Sequence, residues 1–541
     1  MGFKTVAKFF SVYGIWIACA LIFFLSTFFL TRFTHFFISP DETGSAFFAR
    51  AFAYTGSFRV FDGMNEWFEG VLHPRSVITD GAYLIPGSFL GLTFLYGSLM
   101  KIFGSWSLTF LTPVIVVIAM FAWNQILERW FDRRVALIAS ILTLFHPALW
   151  YYSARGLMPN VLFVCCAIFS VWFLTRLHPS EKPSVNLWKG KKEVFGLLAG
   201  LFFGLALFVR LSEVYWLMPL MVALLIAVRK TISARVVIFY TLGLLSVMGL
   251  VFVLNAFTYG HPLTFGYTFV SSVQPSVLVE NVSGVVLEKR SFLLPFGFHP
   301  RAIFWHTWDY ALRLFWWLTI PAFFALPIVF KDHKQKIYTL LTIGVALWLC
   351  VWYGSWRLND NPDPTQITIA NSYVRYWLPV FVLSTPLIAT SILWIAKHTR
   401  SKKQSAVLVC ACILMLVGLN ARSVFFAGQD ALVRVVATLE QSEQIRDRVF
   451  MIVPEESVIV TDRSDKLFFP GRHVLVPLRS DRTYAAIPRI LTRVPVYYYG
   501  ITLPPEDLTY LNQRKFASLG LQITFMESFG VESLYHIKKR E

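Results

Sequence analysis

Two adjacent carboxylates, Asp41 and Glu42, follow directly after a long apolar run at residues 13–37. The run is long enough to cross a bilayer, so the carboxylates are expected at the membrane surface, where they lose part of their hydration. Pro40 ends the incoming helix and suits the first position of a new one. Asp41 then falls near a helix N-terminus, where a carboxylate can cap the helix or serve in catalysis. Both roles stay open at this point.

The composition around this pair is typical of an integral membrane protein. Of 541 residues, 56% are hydrophobic and 15% are charged, and soluble domains have roughly 25% charged residues. The net charge of +18 is attributed to cytoplasmic loops and not to nucleic-acid binding. The six cysteines lie in apolar segments, which predicts neither a disulfide framework nor a metal site. The first apolar run is too long for a cleavable signal peptide, so we expect it to remain as an anchor.

Apolar stretches of spanning length recur along most of the chain and predict about eleven transmembrane helices. The stretch at 83–103 is also apolar, but Pro86, Gly87, Gly91 and Gly97 interrupt it, so we expect interfacial or re-entrant packing there. The eleven predicted spans lie at residues 10–36, 107–127, 135–156, 161–176, 194–210, 214–228, 236–256, 309–330, 337–353, 374–396 and 405–421.

Lysine and arginine concentrate in alternate short connections, which places those connections in the cytoplasm if eleven helices cross the membrane. The outer side then receives the first loop, about 37–106, two later loops at about 257–308 and 354–373, and the whole C-terminal tail. The basic connections are those near residues 4–8, 129–134, 176–192, 229–235, 331–336 and 397–403.

These patterns predict a multi-pass α-helical membrane domain at 1–420 and a soluble extracytoplasmic domain at 421–541. The first outer loop, with several phenylalanines after Pro40, predicts helices in the membrane interface. The tail is charged and contains short apolar runs with helical segments between some of them, which predicts an α/β fold and an accessory role in acceptor binding or stability. Its predicted strands are 457–461, 474–477, 495–499, 522–526 and 534–537, and its helices are 483–491 and 505–517.

Four short motifs occur on the predicted outer side or at its membrane edge. They are Ser-Pro-Asp-Glu at 39–42, Gly-Leu-Ala-Leu-Phe-Val-Arg at 204–210, Tyr-Gly-His-Pro-Leu-Thr-Phe-Gly-Tyr at 259–267 and Tyr-Val-Arg-Tyr-Trp-Leu-Pro at 373–379. With the topology, they make residues 1–400 resemble the GT-C membrane glycosyltransferases. The resemblance is strongest to the protein O-mannosyltransferase and aminoarabinose transferase branch.

This resemblance implies transfer of a hexose or pentose from a polyprenyl-phosphate donor to a lipid, glycan or protein acceptor on the extracytoplasmic face. Asp41 matches the family's general base, and single displacement would invert the anomeric centre. Glu42 would orient the site or bind donor or acceptor, with a solvated helix cap as the alternative. We expect a plasma-membrane location in a prokaryote, with the N-terminus in the cytoplasm.

The leaving phosphate requires cations, and the resemblance assigns this role first to Arg375 and Arg210. Snorkelling at the interface is the alternative for Arg210. Tyr373, which shares the motif of Arg375, is predicted to bind substrate. Two His-Pro-Arg motifs supply further candidates, with an ordinary solvated loop as the alternative. These are His73 and His299 for substrate, and Arg75 and Arg301 for phosphate.

The chain departs from the family at Asn160, which stands where relatives commonly carry a carboxylate. An amide can bind substrate but is a poor ligand for a divalent cation. We therefore predict that no cofactor is required, and a divalent cation remains an alternative.

Two other functions compete with this interpretation. A transporter or flippase of lipid-linked sugars would need polar groups along a mid-membrane path, yet the predicted spans contain few ionisable residues. A non-catalytic membrane scaffold or sensor would instead depend on the tail.

Overall fold

The computed structural model describes residues 3–30, 33, 36–177, 191–228, 232–273, 294–356, 358 and 365–540. Parts of the predicted basic connections at 176–192 and 229–235, and of the predicted outer loops at 257–308 and 354–373, lie outside these ranges. The α-helices of the described ranges are α1 Phe3–Ser26, α2 Pro40–Thr55, α3 Gly63–Phe68, α4 Gly91–Phe103, α5 Leu108–Trp130, α6 Arg133–Leu144, α7 Pro147–Arg155, α8 Pro159–Thr175, α9 Lys192–Val209, α10 Val214–Val228, α11 Ala234–Tyr259, α12 Gly266–Val273, α13 Pro300–Thr307, α14 Trp316–Phe324, α15 Leu326–Val329, α16 His333–Gly354, α17 Ser372–Tyr376, α18 Leu378–Lys397, α19 Lys402–Phe425, α20 Leu432–Ile452, α21 Asp465–Phe468, α22 Asp481–Ile490 and α23 Pro505–Tyr510.

The strands belong to two sheets. The smaller sheet has the order β1-β3-β2 and is antiparallel, and the larger has the order β5-β4-β6-β8-β7. In the larger sheet β5, β4 and β6 are parallel, whereas β8 and β7 continue it antiparallel. The strands are β1 Val60–Phe61, β2 Val77–Asp80, β3 Tyr83–Pro86, β4 Val458–Thr461, β5 His473–Leu475, β6 Val496–Ile501, β7 Leu521–Phe529 and β8 Glu532–Lys539.

Seven apolar helices of the described chain are long enough to cross a membrane, and two bent helix pairs raise that number to nine. The bent pairs are α6 with α7, at 47°, and residues 300–313 with 316–329, at 96°. The other two predicted spans coincide with the shorter apolar helices 159–175 and 211–226. Every predicted span therefore falls on an apolar helix, and the seven long ones are Tyr13–Leu30, Ser105–Trp130, Lys192–Val209, Ala234–Tyr259, His333–Gly354, Leu378–Lys397 and Lys402–Phe425.

The apolar stretch at 83–103 divides into strand β3 and the 13-residue helix α4. A helix of that length is about 20 Å long, shorter than the hydrocarbon core of about 30 Å. Within its own unit of the structure α4 packs along α2. The division agrees with the expectation that this stretch is not a full span.

The described chain separates into two compact units. Unit 1 comprises residues 1–32, 109–253 and 274–434, and unit 2 comprises residues 33–108, 254–273 and 435–541. The first loop thus packs with the C-terminal tail, a grouping that the sequence analysis did not predict. The functional boundary proposed at 420/421 stays a prediction.

Unit 1 consists of packed apolar helices. Helix α8 packs along α9, and α18 packs against α6 and α14. Helices α9 and α11 approach so closely that a Cβ on Gly200 would collide with the carbonyl of Tyr240, and one on Gly243 would collide with that of Leu197. Glycine at both positions therefore lets the two backbones meet.

Unit 2 has an α/β core that confirms the fold predicted for the tail. Buried residues of the larger sheet, such as Val460 and Ile537, form one hydrophobic cluster with α22. Phe68 and Leu72 of the first loop belong to the same cluster. Burial of a large apolar side chain stabilises a fold by about 1.5–3 kcal/mol, so the first loop contributes to the stability of the C-terminal domain.

Candidate active site

The carboxylate pair lies in unit 2, at the first turn of α2. Ser39 is the N-cap of this helix: its hydroxyl accepts a hydrogen bond from the Asp41 N–H at 3.2 Å. Glu42 completes a capping box by accepting from the Ser39 N–H at 3.1 Å, and its side chain is buried. Glu42 is thus a buried helix-cap residue, whereas the alternative role considered for it was a solvated helix cap. The Ser-x-x-Glu spacing of the capping box is visible in the sequence.

Asp41 keeps a half-exposed carboxylate at this helix N-terminus. Its Oδ1 accepts a hydrogen bond from the Ser76 hydroxyl at 2.6 Å. Ser76 has a φ of +65°, a left-handed conformation that costs of order 1–3 kcal/mol for a residue other than glycine. Strain at this position indicates that the surrounding structure fixes the serine in order to direct its side chain.

Glycines permit the Ser76 backbone to approach α2 and β3. A Cβ on Gly44 would lie 3.3 Å from the Ser76 carbonyl oxygen, and one on Gly87 would lie 3.1 Å from it. The same oxygen accepts a hydrogen bond from the Gly87 N–H at 3.3 Å. The turn at residues 74–77, which we call the Ser76 turn, is therefore held between α2 and the end of β3.

The motif at 259–267 contacts residues 86–88, the segment that packs against the Ser76 turn. The Tyr259 hydroxyl donates to the carbonyls of Pro86, at 2.9 Å, and Ser88, at 3.1 Å. A Cβ on Gly266 would collide with the backbone of residues 87 and 88, so glycine is required for this close approach. The motif therefore has a structural function in fixing the segment that follows β3.

Arg75 is held by a buried carboxylate of the C-terminal domain. Asp465 accepts hydrogen bonds from the Arg75 N–H at 2.8 Å, from Nε at 3.0 Å and from Nη2 at 2.7 Å. Both guanidinium nitrogens donate to Oδ1, and the backbone N–H donates to Oδ2. The Asp465 side chain is fully buried, and charge-assisted hydrogen bonds of this kind are strong. The predicted role of Arg75 at a phosphate stays untested, and the structure adds a role in joining the first loop to the tail.

His73 lies two residues before Arg75, the arginine of this ion pair. Its Nδ1 is 3.1 Å from the carbonyl oxygen of Pro74. Burial lowers the pKa of His73 below its usual value, which favours the neutral imidazole at neutral pH. His73 can therefore accept or donate a hydrogen bond, but the structure does not test its predicted contact with substrate.

A second charged cluster lies in unit 1, where α9 ends. The buried Arg210 donates from Nε to Glu213 Oε1 at 3.0 Å and from Nη2 to the Tyr353 hydroxyl at 2.9 Å. Glu213 also accepts from that hydroxyl at 2.6 Å and from Trp216 Nε1 at 2.6 Å. Arg210 is thus fixed in a buried network, and interfacial snorkelling does not describe it.

Arg375 joins this cluster through an aromatic ring. The guanidinium carbons of Arg210 and Arg375 lie 4.9 Å and 5.4 Å from the ring centre of Tyr376. Arg375 also donates to Met158 Sδ at 2.9 Å and to the Ser372 hydroxyl at 2.9 Å. The two arginines that the sequence analysis selected for phosphate binding therefore share one site, which we call the arginine cluster.

The sequence analysis missed Arg155, a buried arginine at the end of α7. It donates from Nη1 to the Tyr151 hydroxyl at 2.9 Å. Helix α17, which carries Arg375, packs against both α7 and α8. The available signal was a charge at the end of an apolar run, directly before the Gly156–Asn160 stretch.

An apolar groove runs between helices α5, α8, α10, α16 and α18 of unit 1. Its cavity volume is about 110 Å³. Trp216 lines the groove and also donates to Glu213, so the groove meets the arginine cluster at this tryptophan. On α10 the lining continues to Leu224, about 12 Å farther along the helix.

Helices α8 and α18 run from the arginine cluster in the same sense as α10, whereas α16 reaches the cluster near its C-terminal end, through Tyr353. Arg375 precedes α18, whose Pro379 and Leu383 line the groove. Met158 precedes α8, whose Phe163 lines it and packs edge-on against Trp216 at 5.9 Å. The lining of the groove is therefore apolar, and Trp216 connects it to the arginine cluster.

The remaining predicted residues are placed differently. Tyr373 is buried among aromatic rings, with its ring centre 4.3 Å from that of His306, and its hydroxyl donates to the Trp356 carbonyl. Asn160 is buried in the first turn of α8. His299 and Arg301 are exposed at the start of α13. Their predicted roles with substrate or phosphate stay untested.

Among the described residues, no three histidine, cysteine, aspartate or glutamate side chains are grouped closely enough to hold a metal ion. The expectation that no cofactor is required is not tested by this observation.

A family model described as dolichyl-phosphate-mannose-protein mannosyltransferase matches residues 90–255. A similar solved structure is ArnT from Cupriavidus metallidurans bound to undecaprenyl phosphate, with 13% identity and a TM-score of 0.53, covering 97% of this chain and 98% of that chain. The chain has the GT-C fold. A second similar structure is the Archaeoglobus fulgidus oligosaccharyltransferase tethered to an acceptor peptide, with 11% identity and a TM-score of 0.50, covering 94% and 70% of the two chains. No curated protein sequence matches.

These findings confirm the resemblance to the GT-C superfamily and the predicted helical fold with a C-terminal α/β region. At 11–13% identity, they do not assign roles to individual residues. Within the GT-C fold, the Asp41 turn belongs to unit 2 and the arginine cluster to unit 1.

Proposed function

We propose that this protein is a membrane glycosyltransferase that takes its sugar from a polyprenyl-phosphate donor. The observation that carries the proposal is the apolar groove with the arginine cluster at its end. A polyprenyl phosphate has two matching parts. Its long hydrocarbon chain would bind in the apolar groove, and its anionic phosphate would bind the two arginines. The GT-C fold supports a sugar-transfer reaction in place of transport.

Asp41 is the proposed general base. An acceptor hydroxyl or amine attacks the anomeric carbon while the bond from that carbon to the phosphate oxygen breaks. The acceptor's proton passes to Asp41, and the polyprenyl phosphate leaves with the bonding electrons. Removing the proton during attack makes a poor nucleophile effective. Attack opposite to the leaving group inverts the anomeric centre.

Other groups assist this step. Arg375 and Arg210 stabilise the negative charge that develops on the leaving phosphate. Ser76 directs the Asp41 carboxylate, and Glu42 holds the helix cap on which that carboxylate sits. We propose that the reaction takes place on the extracytoplasmic face, as the distribution of basic loops predicts. The transferred sugar is a hexose or a pentose, and the acceptor is a lipid, glycan or protein.

Lipid binding tests the groove and the arginine cluster without knowledge of the sugar. The purified protein is reconstituted in vesicles with undecaprenyl phosphate or, separately, with undecaprenol. We expect thermal stabilisation by the phosphate only, and loss of this effect in Arg375→Gln. Equal stabilisation by the alcohol would contradict a phosphate site.

Sugar transfer tests Asp41. Vesicles receive labelled mannose or aminoarabinose on undecaprenyl phosphate, together with membrane lipids and proteins as acceptors. Asp41→Asn should reduce transfer by about 10²–10⁴-fold, the usual contribution of a general base. Glu66→Gln is the matched control, because Glu66 is an exposed carboxylate in the same loop. Wild-type transfer by Asp41→Asn would exclude this base.

A further inference from the structure

The C-terminal domain reaches the Asp41 turn through two consecutive residues of α21. Asp465 binds Arg75, the neighbour of Ser76, with three hydrogen bonds. Lys466 donates from Nζ to the carbonyl of Ile38, directly before the Ser39 cap. One turn of the C-terminal domain therefore holds both chain segments that meet at Asp41.

We propose that Asp465 is a positioning residue for the general base, acting through Arg75 and Ser76. This inference rests on the proposed function. Ser76 adopts a φ of +65°, which a serine leaves readily unless neighbouring residues are fixed. Asp465 fixes the preceding residue at both its backbone N–H and its guanidinium, so the Ser76 hydroxyl keeps its direction toward Asp41.

The same ion pair is not required to dock the loop on the domain. Phe68 and Leu72 insert into the domain core, and Arg489 pairs with Glu69 at 2.8 Å. Asp62 pairs with His473 at 3.1 Å. These contacts also join the first loop to the C-terminal domain. The contact at Asp465 differs from them because it lies beside the Ser76 turn.

The assignment also changes the role of Arg75. If Arg75 bound the donor phosphate, its loss would weaken donor binding and raise KM. If it orients Ser76, its loss lowers kcat and leaves the donor KM unchanged, because only the geometry at the base is altered. A displacement of about 1 Å at a catalytic group can cost about 10²-fold in rate.

The experiment compares Asp465→Asn with Asp62→Asn in vesicles supplied with the labelled polyprenyl-phosphate sugar that the wild type transfers. Both substitutions replace a well-buried aspartate that joins the first loop to the C-terminal domain. We expect Asp465→Asn to lower kcat about 10- to 100-fold with an unchanged donor KM, and Asp62→Asn to leave kcat within about twofold.

Ser76→Ala provides a second readout. If Asp465 acts through Ser76, the double variant Asp465→Asn, Ser76→Ala is no slower than Ser76→Ala alone, since both changes remove the same interaction. If Asp465→Asn aggregates on size exclusion, Arg75→Lys replaces it, because a cation then still faces the buried Asp465 carboxylate while the guanidinium contacts are lost.

Three results would overturn the inference: wild-type kcat in folded Asp465→Asn, equal losses in Asp62→Asn, or a raised donor KM as the main effect of Arg75→Lys. A failure of the proposed function is distinguishable, because Asp41→Asn would then transfer sugar like the wild type. If Asp41→Asn is inactive while Asp465→Asn is fully active, only the positioning role is lost.

Discussion

The Asp41 turn and the arginine cluster hold their charges in different ways. Asp41 has a half-exposed carboxylate whose direction depends on the hydroxyl of a strained serine. Arg210 is buried, and Glu213 and Tyr353 satisfy two of its nitrogens. The first region has a charged group at the end of a helix that is partly exposed. The second region buries its charge in a network of hydrogen bonds.

Under the proposed function, this difference corresponds to a division between reaction and binding. A group that takes a proton must remain accessible and must be aimed, so its neighbours control kcat. A group that meets a phosphate must be preorganised, so its neighbours control donor affinity and stability. Substitutions in the two regions should therefore change different quantities.

The largest effect is expected for Glu213→Gln. This substitution leaves the Arg210 charge buried without its carboxylate, and breaking a buried pair typically costs about 3–5 kcal/mol. The apparent melting temperature of the detergent-solubilised protein should fall markedly. The double variant Arg210→Met, Glu213→Gln should recover part of this loss, because no charge is then left alone. An unchanged melting temperature in the single variant would mean that the network does not stabilise the fold.

A smaller effect is expected for Arg375→Lys. The positive charge remains, but the planar guanidinium that stacks on Tyr376 is lost. Donor KM should rise about tenfold, which corresponds to about 1.4 kcal/mol, while kcat stays within about twofold. Ser76→Ala is the matched comparison and should show the reverse, a lower kcat with an unchanged KM. If both variants changed the same constant, the two regions would not divide binding from reaction.

Much of the fold was predictable because membrane-spanning helices correspond to long apolar runs in the sequence. The tail was also predictable, since alternating short strands and helices leave a local pattern. The bend of 96° between residues 300–313 and 316–329 was not, because packing decides whether an apolar run bends. The association of Phe68 and Leu72 with the tail was likewise hidden, since nearly 400 residues separate the partners.

At the site, residue types were easier to predict than their partners. Asp41, Arg210 and Arg375 were selected as candidates from motifs, and the structure places the two arginines on one tyrosine ring. Ser76 and Asp465 were missed because neither lies in a motif. Their importance depends on a backbone angle and on a contact across 390 residues.

Filling the groove tests its role with a still smaller effect. Ala167 lines the groove on α8, so Ala167→Phe should narrow it for a long prenyl chain. We expect donor KM for an undecaprenyl donor to rise about fivefold, equivalent to about 1 kcal/mol, with less change for a donor of three isoprene units. Val222→Phe adds the same ring on an exposed face of α10 and should have no effect. Equal changes for both chain lengths would contradict a prenyl groove.

The smallest effect is expected at the ion pair of Asp62 with His473. Burial alone would raise the pKa of Asp62, but the hydrogen bond and charge of His473 and the N–H groups of Met64 and Asn65 outweigh it and hold the pKa below its usual value. The carboxylate therefore stabilises the fold above the unfolded pKa of about 3.9. This stabilisation is lost as the pH falls through the folded value. Asp62→Asn should cost about 0.5 kcal/mol near neutral pH, measured as a lower melting temperature, and the difference from wild type should shrink as the pH approaches about 3. A difference that stays constant down to that pH would show that the ion pair does not contribute through its charge.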